Sequence, residues 1–404
     1  MKDKELFQKA IGMDPWVVVS YEFDSDKGRL DLELDFPPGQ TFVCPECNTE
    51  GCKVYDTEKK SWRHLNFFQY EAYLHARVPR VDCRKCGVKL VRVPWARPGS
   101  GFTLLFEAIV MALAREMPIR AMSKILREHD TRLWRVLNHY VEEARREADF
   151  SSVREVGVDE TSSKRGHNYV TLFVDLEKPR TMFVTEGKDA STLIRFKEDF
   201  ESHKGDVEAI EEICCDMSPA FIAGVEKNFP HAQITFDKFH VLKVLNEAVD
   251  KVRREEQGLI PELKKTRYIW LKNPGNLKDR EISVLESLQM KKLNLKTMRA
   301  YHIRLNFQEL WNQTVDDSEQ FLKKWYFWAT HSRLEPIKEA AYTIKRHWTG
   351  ILRWFKSNIN NGTLEAFNSL VQAAKARARG YRTTKNLISM IYLITGKFNF
   401  NLPT

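Results

Sequence analysis

From Glu155 onward the chain carries three short apolar stretches joined by short links, and then alternates helical and extended patterns. The stretches are Val156-Gly157-Val158-Asp159, Asn168 to Leu176 (NYVTLFVDL) and Thr181 to Thr185 (TMFVT). The links, Ser162 to His167 and Glu177 to Arg180, are short enough to predict antiparallel hairpins. Ala190 to Phe200 follows, with Leu193, Phe196 and Phe200 on one helical face. Ile210 to Asp216 reads as a fourth strand, Pro219 to Asn228 as a helix and Gln233 to Asp237 as a fifth strand, with a long helix starting near Phe239. Few folds accept that order, because strands separated by helices return to the sheet in parallel.

The order βββαβαβ is the ribonuclease H-like plan, in which the first and fourth strands are neighbours at the sheet centre. Both end in an acid, Asp159 and Asp216. Two carboxylates that close repel each other unless a divalent cation lies between them. A third ligand could come from a helix packed on the sheet. Glu365 is the only acidic residue between Ala340 and Thr404, a stretch with ten Lys or Arg residues. Its helix is predicted to bury Leu364, Phe367, Leu370 or Val371, and Ala374, with Glu365, Asn368, Gln372 and Lys375 as a polar stripe beside them. Two readings of Glu365 stand: a metal ligand within a basic surface, or a helix N-terminal acid favoured by the macrodipole after Asn361-Gly362-Thr363. Residues 247–345 are mostly helical in pattern, over Glu247–Gln257, Pro261–Leu271, Lys278–Met290, Leu295–Trp311 and Ser318–Arg333. They read as a helical insertion between the fifth strand and Glu365. Most of its aromatics (Trp270, Tyr301, Phe307, Trp311, Trp325, Trp328) are expected in its core, with a few free to stack on DNA ends.

Upstream, Cys44-Pro45-Glu46-Cys47 and Cys83-Arg84-Lys85-Cys86 are two C-x-x-C knuckles with 35 residues between them. Such knuckles can set four thiolates tetrahedrally around zinc, with backbone amides facing the sulfurs; the alternative is two unrelated pairs. Cys52 is spare, His64 and His75 are competing ligands, and Cys214 and Cys215 belong to an apolar strand. Strand-like residues Phe67 to Val78 suggest a hairpin inserted in a zinc ribbon. Phe102 to Ala148 is helical in pattern, broken at Met117-Pro118 and at His129-Asp130-Thr131, with Asp130 or Thr131 as cap of the third helix. Arg132, Trp134, Arg135 and Asn138 near its start suit a recognition helix, against an ordinary three-helix connector. The 404 residues carry a net charge of +9, which makes a polyanion a fitting partner. No apolar stretch is long enough to span a bilayer and no signal peptide is evident, so a soluble cytoplasmic protein without a membrane partner is expected.

Together the knuckles, Trp62-Arg63-His64-Leu65 and the helix-turn-helix resemble the N-terminal part of bacterial insertion-sequence transposases of the ISL-three type. Gly157-Val158-Asp159-Glu160, Cys215-Asp216-Met217-Ser218-Pro219, Asp237-Lys238-Phe239-His240 and Asn361-Gly362-Thr363-Leu364-Glu365-Ala366-Phe367-Asn368 extend the resemblance over nearly the whole chain. It implies a DDE triad of Asp159, Asp216 and Glu365 holding Mg²⁺ or Mn²⁺, and two-metal phosphoryl transfer on DNA. Cys44, Cys47, Cys83 and Cys86 would hold Zn²⁺. Asp237, His240 and Asn368 would support the metal site, the first two against a plain strand-end acid and helix-face histidine. Arg132 and Arg135, with Lys375, Arg377, Arg379 and Arg382 from KARARGYR, would contact DNA; for the latter four a solvated helix end is the alternative. The expected partners are the element's terminal inverted repeats and target DNA, bound by a homodimer or larger assembly on the bacterial nucleoid. The predicted segments are a zinc-ribbon-like domain (1–100), a helix-turn-helix (101–150), the first part of the catalytic core (151–246), the insertion (247–345) and the C-terminal part of the core (346–404). Two rival classes are a non-catalytic DNA-binding regulator and a ribonuclease H-like nuclease without strand transfer.

Overall fold

The computed structural model describes residues 3–164, 166, 168–290, 295–357, 359 and 362–402. Arg165 and His167 of the first predicted link, and Asn361 at the predicted helix entry, lie outside the described residues. The chain divides into two compact units, Met1–Ala144 with Asn399–Thr404, and Arg145–Phe398.

The first unit opens with α1 (Asp3–Ile11), β1 (Val17–Asp24) and β2 (Arg29–Asp35), followed by β3 (Lys53–Arg63), β4 (Glu71–Cys83) and β5 (Gly87–Leu90). The sheet runs β1-β2-β4-β3, with β5 also on β4; the β2–β4 pair is parallel and the others antiparallel. Period-two alternation buries Leu30, Leu32 and Leu34 of β2 beside Ala72, Leu74, Ala76 and Val78 of β4. Trp16, Trp62 and Trp95 complete this core with edge-to-face contacts. The predicted hairpin is present, but its second strand starts at Glu71. Phe67 and Tyr70 exchange backbone hydrogen bonds of 3.0 Å and close a tight turn instead. The sequence reading did not include α1, β1 or β2.

Three helices follow, α2 (Leu104–Glu116), α3 (Ile119–Leu126) and α4 (Asp130–Arg146). The breaks fall where predicted, while the cap of α4 is His129. Its carbonyl accepts from the Arg132 amide (3.0 Å) and its ring nitrogen from the Thr131 amide (3.3 Å), so Asp130 and Thr131 are already helical. Glu107, fully buried on α2, accepts from Arg97 (2.9 Å), Ser100 (2.6 Å) and Tyr140 of α4 (2.9 Å), and so ties the post-ribbon loop to two helices.

The second unit holds β6 (Glu155–Lys164), β7 (Asn168–Asp175), β8 (Arg180–Glu186), α5 (Ser191–Ser202), β9 (Glu212–Cys215), α6 (Pro219–Asn228), β10 (Gln233–Phe236) and α7 (Lys238–Glu256). The sheet order is β10-β9-β6-β7-β8, antiparallel for β6–β7–β8 and parallel for β6–β9–β10. Most of β7 is buried because both faces are covered. Phe196 of α5 stacks on Phe173 at 4.2 Å. From the C-terminal α15 (Thr384–Thr395), Tyr392 accepts from the Val184 amide at 2.8 Å. Cys214 and Cys215 are buried in β9 as expected.

Between β10 and α15 lie α8 (Arg267–Leu271), α9 (Asp279–Met290), α10 (Lys296–Gln308), α11 (Val315–Thr330), α12 (Glu335–Arg346), α13 (Trp348–Ser357) and α14 (Gly362–Arg377). The helix predicted over Glu247–Gln257 is the second half of α7, and the one over Pro261–Leu271 is a single 3-10 turn plus the five-residue α8. The predicted helix is interrupted at Lys265, which takes a left-handed φ of +62° between the 3-10 turn and α8. Trp270, Tyr301, Phe307 and Trp325 are buried, in one continuous core that also contains Val156, Phe173 and Val241. Trp328 is exposed. The edge strand β10 is covered by α13, where a Cβ on Gly350 would lie 2.5 Å from the Phe236 ring. Among the described residues no helix is long and apolar enough to cross a membrane.

Candidate active site and nucleic-acid interface

Strand register alone gathers the acids. Gly157 pairs with Cys214 in the parallel β6–β9 ladder, so continuing it by two residues sets Asp159 beside Asp216, with strands about 4.8 Å apart. In the β9–β10 ladder Phe236 pairs with Cys215, and the next residues are Asp216 and Asp237. Asp216 and Asp237 directly follow the C-terminal ends of β9 and β10. Asp159 instead lies midway along β6, which does not end there as expected but runs on to Lys164 in its antiparallel pairing with β7. The three acids thus stand abreast where β9 and β10 stop, at the edge of an open α/β sheet where ligands bind. Backbone amides hold each one: Glu160 donates to Asp159 (2.7 Å), Ser218 to Asp216 (2.9 Å) and Phe239 to Asp237 (2.7 Å). The second oxygen of Asp237 lies 2.9 Å from His240 Nδ1, one turn into α7.

Electrostatics show the cost of that gathering. Burial, and then the neighbouring Asp237 and Asp216 charges, push the Asp159 carboxyl above its ordinary range. Burial and the Asp216 charge raise Glu160 to about 7. The hydrogen bond to Asp237 draws the His240 pKa upward. A crowd of acids countered by the His240 imidazole and Lys188 is an environment that a cation relieves.

The helix α14 lies along β6 against Gly157. A Cβ there would meet a Leu176 methyl at 2.8 Å and Leu364 methyls at 3.0 Å, so a side chain at this position obliges both leucines to shift. Downstream, Asn368 Nδ2 donates to Asp159 Oδ2 (2.5 Å), Gln372 Nε2 to Thr161 Oγ1 (2.5 Å) and Lys375 Nζ to the Ser162 carbonyl (2.6 Å). The polar stripe thus meets the strand, with Leu364, Phe367 and Val371 buried beside it and Leu370 exposed. Glu365 stands on the exposed flank of α14, one turn before Asn368, and is not drawn into the Asp159–Asp216 pair. The buried Asn368 Oδ1 has no hydrogen-bond partner. An orphaned oxygen on the residue bonded to Asp159 fits a hydrated hard cation. Gly157 and Thr161 were missed as site-shaping residues; a glycine inside an apolar strand was the available signal.

In the first unit the sulfurs of Cys44, Cys47, Cys83 and Cys86 all lie within 4.8 Å of one another, and they are the metal-ligand cluster found among the described residues. A zinc with sulfurs at about 2.3 Å needs them roughly 3.8 Å apart, and Cys47 and Cys83 are 3.5 Å apart. Backbone amides of Lys85 and Cys86 favour the Cys83 thiolate, as a knuckle should, and the Thr49 hydroxyl does so for Cys47. His64 is bonded to Thr103 (2.9 Å) and His75 to Asp31 (2.5 Å) and Ser61 (2.6 Å), so neither competes for the metal. Cys52 is buried, with its thiol directed at the Thr49 carbonyl.

Of the residues expected on DNA, Arg135 is exposed on α4. Arg132 is engaged within the protein, paired with Glu128 (2.6 Å) and lying over the Phe102 ring. Lys375 is likewise occupied at Ser162, while Arg379 and Arg382 line a cleft of about 720 Å³ with Lys164 and Tyr381. Arg377 occupies the last turn of α14.

The family model for a transposase of the DDE type, ISL3 family, matches residues 156–391, more than half the chain. The helix-turn-helix domain of transposase family ISL3 matches residues 91–141, and the zinc-finger of transposases IS204/IS1001/IS1096/IS1165 matches 40–86. Similar proteins include the transposase for insertion sequence element IS1557 of Mycobacterium tuberculosis, 27% identical over 446 residues, spanning 100% of this chain and 98% of that one. The transposase for IS1001 of Bordetella parapertussis is 25% identical over 398 residues, spanning 95% and 96%. Zinc ribbon, helix-turn-helix and carboxylate-edged sheet occur here in that order, and the chain belongs to the ISL3 family of insertion-sequence transposases.

Proposed function

We propose that this transposase binds the terminal inverted repeats of its own element and carries out Mg²⁺-dependent cleavage and strand transfer at their ends. The observation that carries the reading is the placement of Asp159 and Asp216 abreast on β6 and β9, with α14 fastened to Asp159 through Asn368. The sheet order β10-β9-β6-β7-β8 supports a ribonuclease H-like core, and the helices from α8 to α13 read as its insertion. Asp159, Asp216 and Glu365 would hold the catalytic Mg²⁺ or Mn²⁺. Bound there, Mg²⁺ or Mn²⁺ would activate the attacking oxygen and stabilise the leaving one. Glu365 would turn inward from its exposed position to do so. Asn368 orients the Asp159 carboxylate, and Asp237 with His240 supports the neighbouring wall. Hydrolysis would nick the element end, and the freed 3′-hydroxyl would attack target DNA. Arg379 and Arg382 would hold phosphates beside the site, with Lys375 and Arg377 on the same helix end. Arg132 and Arg135 would serve the recognition helix. Cys44, Cys47, Cys83 and Cys86 would hold Zn²⁺. We place the protein in the cytoplasm on the nucleoid, as a dimer or larger assembly on paired ends.

The test is cleavage of a labelled duplex carrying the element's end in Mg²⁺, comparing wild type with Asp159→Ala, Asp216→Ala and Glu365→Ala. Nicking by wild type alone, with all three variants still binding, is expected. Cleavage by Glu365→Ala would remove that residue from the site. Binding without cleavage by wild type would favour a regulator.

A further inference from the structure

The helix α14 and the strand β6 run side by side in the same direction. Asn368, Gln372 and Lys375 meet Asp159, Thr161 and Ser162 in that order. From Asn368 to Gln372 the helix rises about 6 Å, and from Asp159 to Thr161 the strand rises about 7 Å, so the contacts keep step. This ladder leads away from the catalytic acids. It ends at the cleft of about 720 Å³ lined by Ser163 and Lys164 of β6 and by Lys375, Arg379, Tyr381 and Arg382.

The charge of that cleft is uncompensated, since its lining holds four cations and no carboxylate. Lys375 and Lys164 bond to the neutral carbonyls of Ser162 and Arg382, which leaves their positive charge in place. Among the described residues, neither the Arg379 nor the Arg382 guanidinium has an ion-pair or hydrogen-bond partner, and both are exposed. Arg379 takes a left-handed φ of +56° at the end of α14, a position that glycine fills most easily. The amides of Arg379 and Gly380 satisfy the Ala376 and Lys375 carbonyls there, at 3.0 and 2.8 Å. A helix C-terminus carries about half a negative charge, which four cations outweigh. The cleft is therefore built for an anion from outside the chain.

Its distance from the acids is set by the two elements that join them. Ser163 lies four residues beyond Asp159, about 13 Å along β6. Arg377, the last residue of α14, lies nine beyond Asn368, about 14 Å along the helix. Duplex DNA advances about 3.4 Å per nucleotide of each strand, so a backbone laid from Asp159 to the cleft spans about four nucleotides.

We propose that the cleft is a second phosphate subsite, which holds the backbone of the element end about four nucleotides from the phosphate at the catalytic acids and so sets the register of cleavage. This assignment rests on the end-cleavage reading above. The occupant is a DNA strand, because the cleft is uniformly positive and lies in line with the strand that carries Asp159.

The experiment uses the full-length protein and the labelled element-end duplex, with a single neutral methylphosphonate placed at successive positions either side of the element boundary. Wild type is expected to bind roughly tenfold more weakly when the neutral linkage lies about four nucleotides from that boundary. The double variant Arg379→Gly/Arg382→Ala should lose this positional sensitivity, and its salt slope of binding should fall by about two. It should melt no lower than wild type, because glycine suits the left-handed backbone and Arg382 is exposed. Arg379→Lys should retain the sensitivity. Equal positional sensitivity in wild type and the double variant would overturn the subsite while leaving end binding intact. So would a wild-type profile in which only phosphates adjoining the boundary matter. Failure of wild type to bind the duplex would overturn end binding and the subsite together.

Discussion

Asn368 shows how much one side chain decides here. It is the direct bond between α14 and Asp159, and it leaves one amide oxygen free at the carboxylates. A hydrogen bond to a charged group contributes about 2 kcal/mol, so Asn368→Ala should lower end cleavage roughly thirtyfold. End binding should be unchanged; gel-shift and cleavage assays on one duplex separate the two. His64 offers a different reading. Burial holds its pKa below the ordinary value of about 6.5, with the Arg63 charge acting in the same direction. The neutral ring is therefore the folded form. Its contribution to stability is present above pH about 6.5 and is lost as pH falls toward the folded pKa. Thermal melts between pH 8 and 5 should show a smaller acid-side loss for His64→Gln than for wild type. Both residues were visible in the sequence, His64 as a competing zinc ligand and Asn368 in a polar stripe. Their direct bonds, His64 to Thr103 and Asn368 to Asp159, were not, because each joins residues far apart along the chain.

At the scale of elements, β6 and α14 form the working pair. Gly157 lies against Leu364 of α14, and Gln372 and Lys375 extend the contact over three helical turns. Gly157→Val should lift α14 from the strand and carry Glu365 with it. Cleavage is expected to fall below detection with DNA binding retained, and limited proteolysis should open new sites within 362–377. The outcome that would count against this geometry is normal cleavage by Gly157→Val. Local patterning located β7 to β10 to within a few residues and the start of β6, since alternation and turn chemistry are properties of neighbours, but it ended β6 at Asp159, five residues early. It failed at Pro261–Leu271, where a left-handed Lys265 interrupts the helical pattern, and at Phe67, where a turn outweighs strand propensity.

On the molecular scale the two units have separate cores, one stiffened by the cysteine cluster and one by the sheet and its helices. Structural zinc sites supply folding free energy directly. Chelation should release one Zn²⁺ per chain and shift only the melting transition of the first unit. Calorimetry should resolve that shift, and end binding should disappear with it. A single unshifted transition after zinc release would deny the cluster a structural role. The first unit also draws on both ends of the chain: Phe400 is buried there, with Arg115 over its ring at 5.3 Å.

The sequence by itself determined what spacing and composition encode: two cysteine knuckles, a helix broken twice, five strands with an acid closing the first, fourth and fifth apolar stretches, and one glutamate in a basic stretch. Each is a relation among residues a few positions apart, where backbone geometry and side-chain periodicity leave few choices. Tertiary structure alone decided that β4 lies parallel to β2, that Arg63 is buried between the hairpin and the helix-turn-helix, and that α14 rests on Gly157. Those contacts join residues separated by tens to hundreds of positions. Closing such loops costs entropy that only well-matched buried surfaces offset, and no local pattern records which surfaces match.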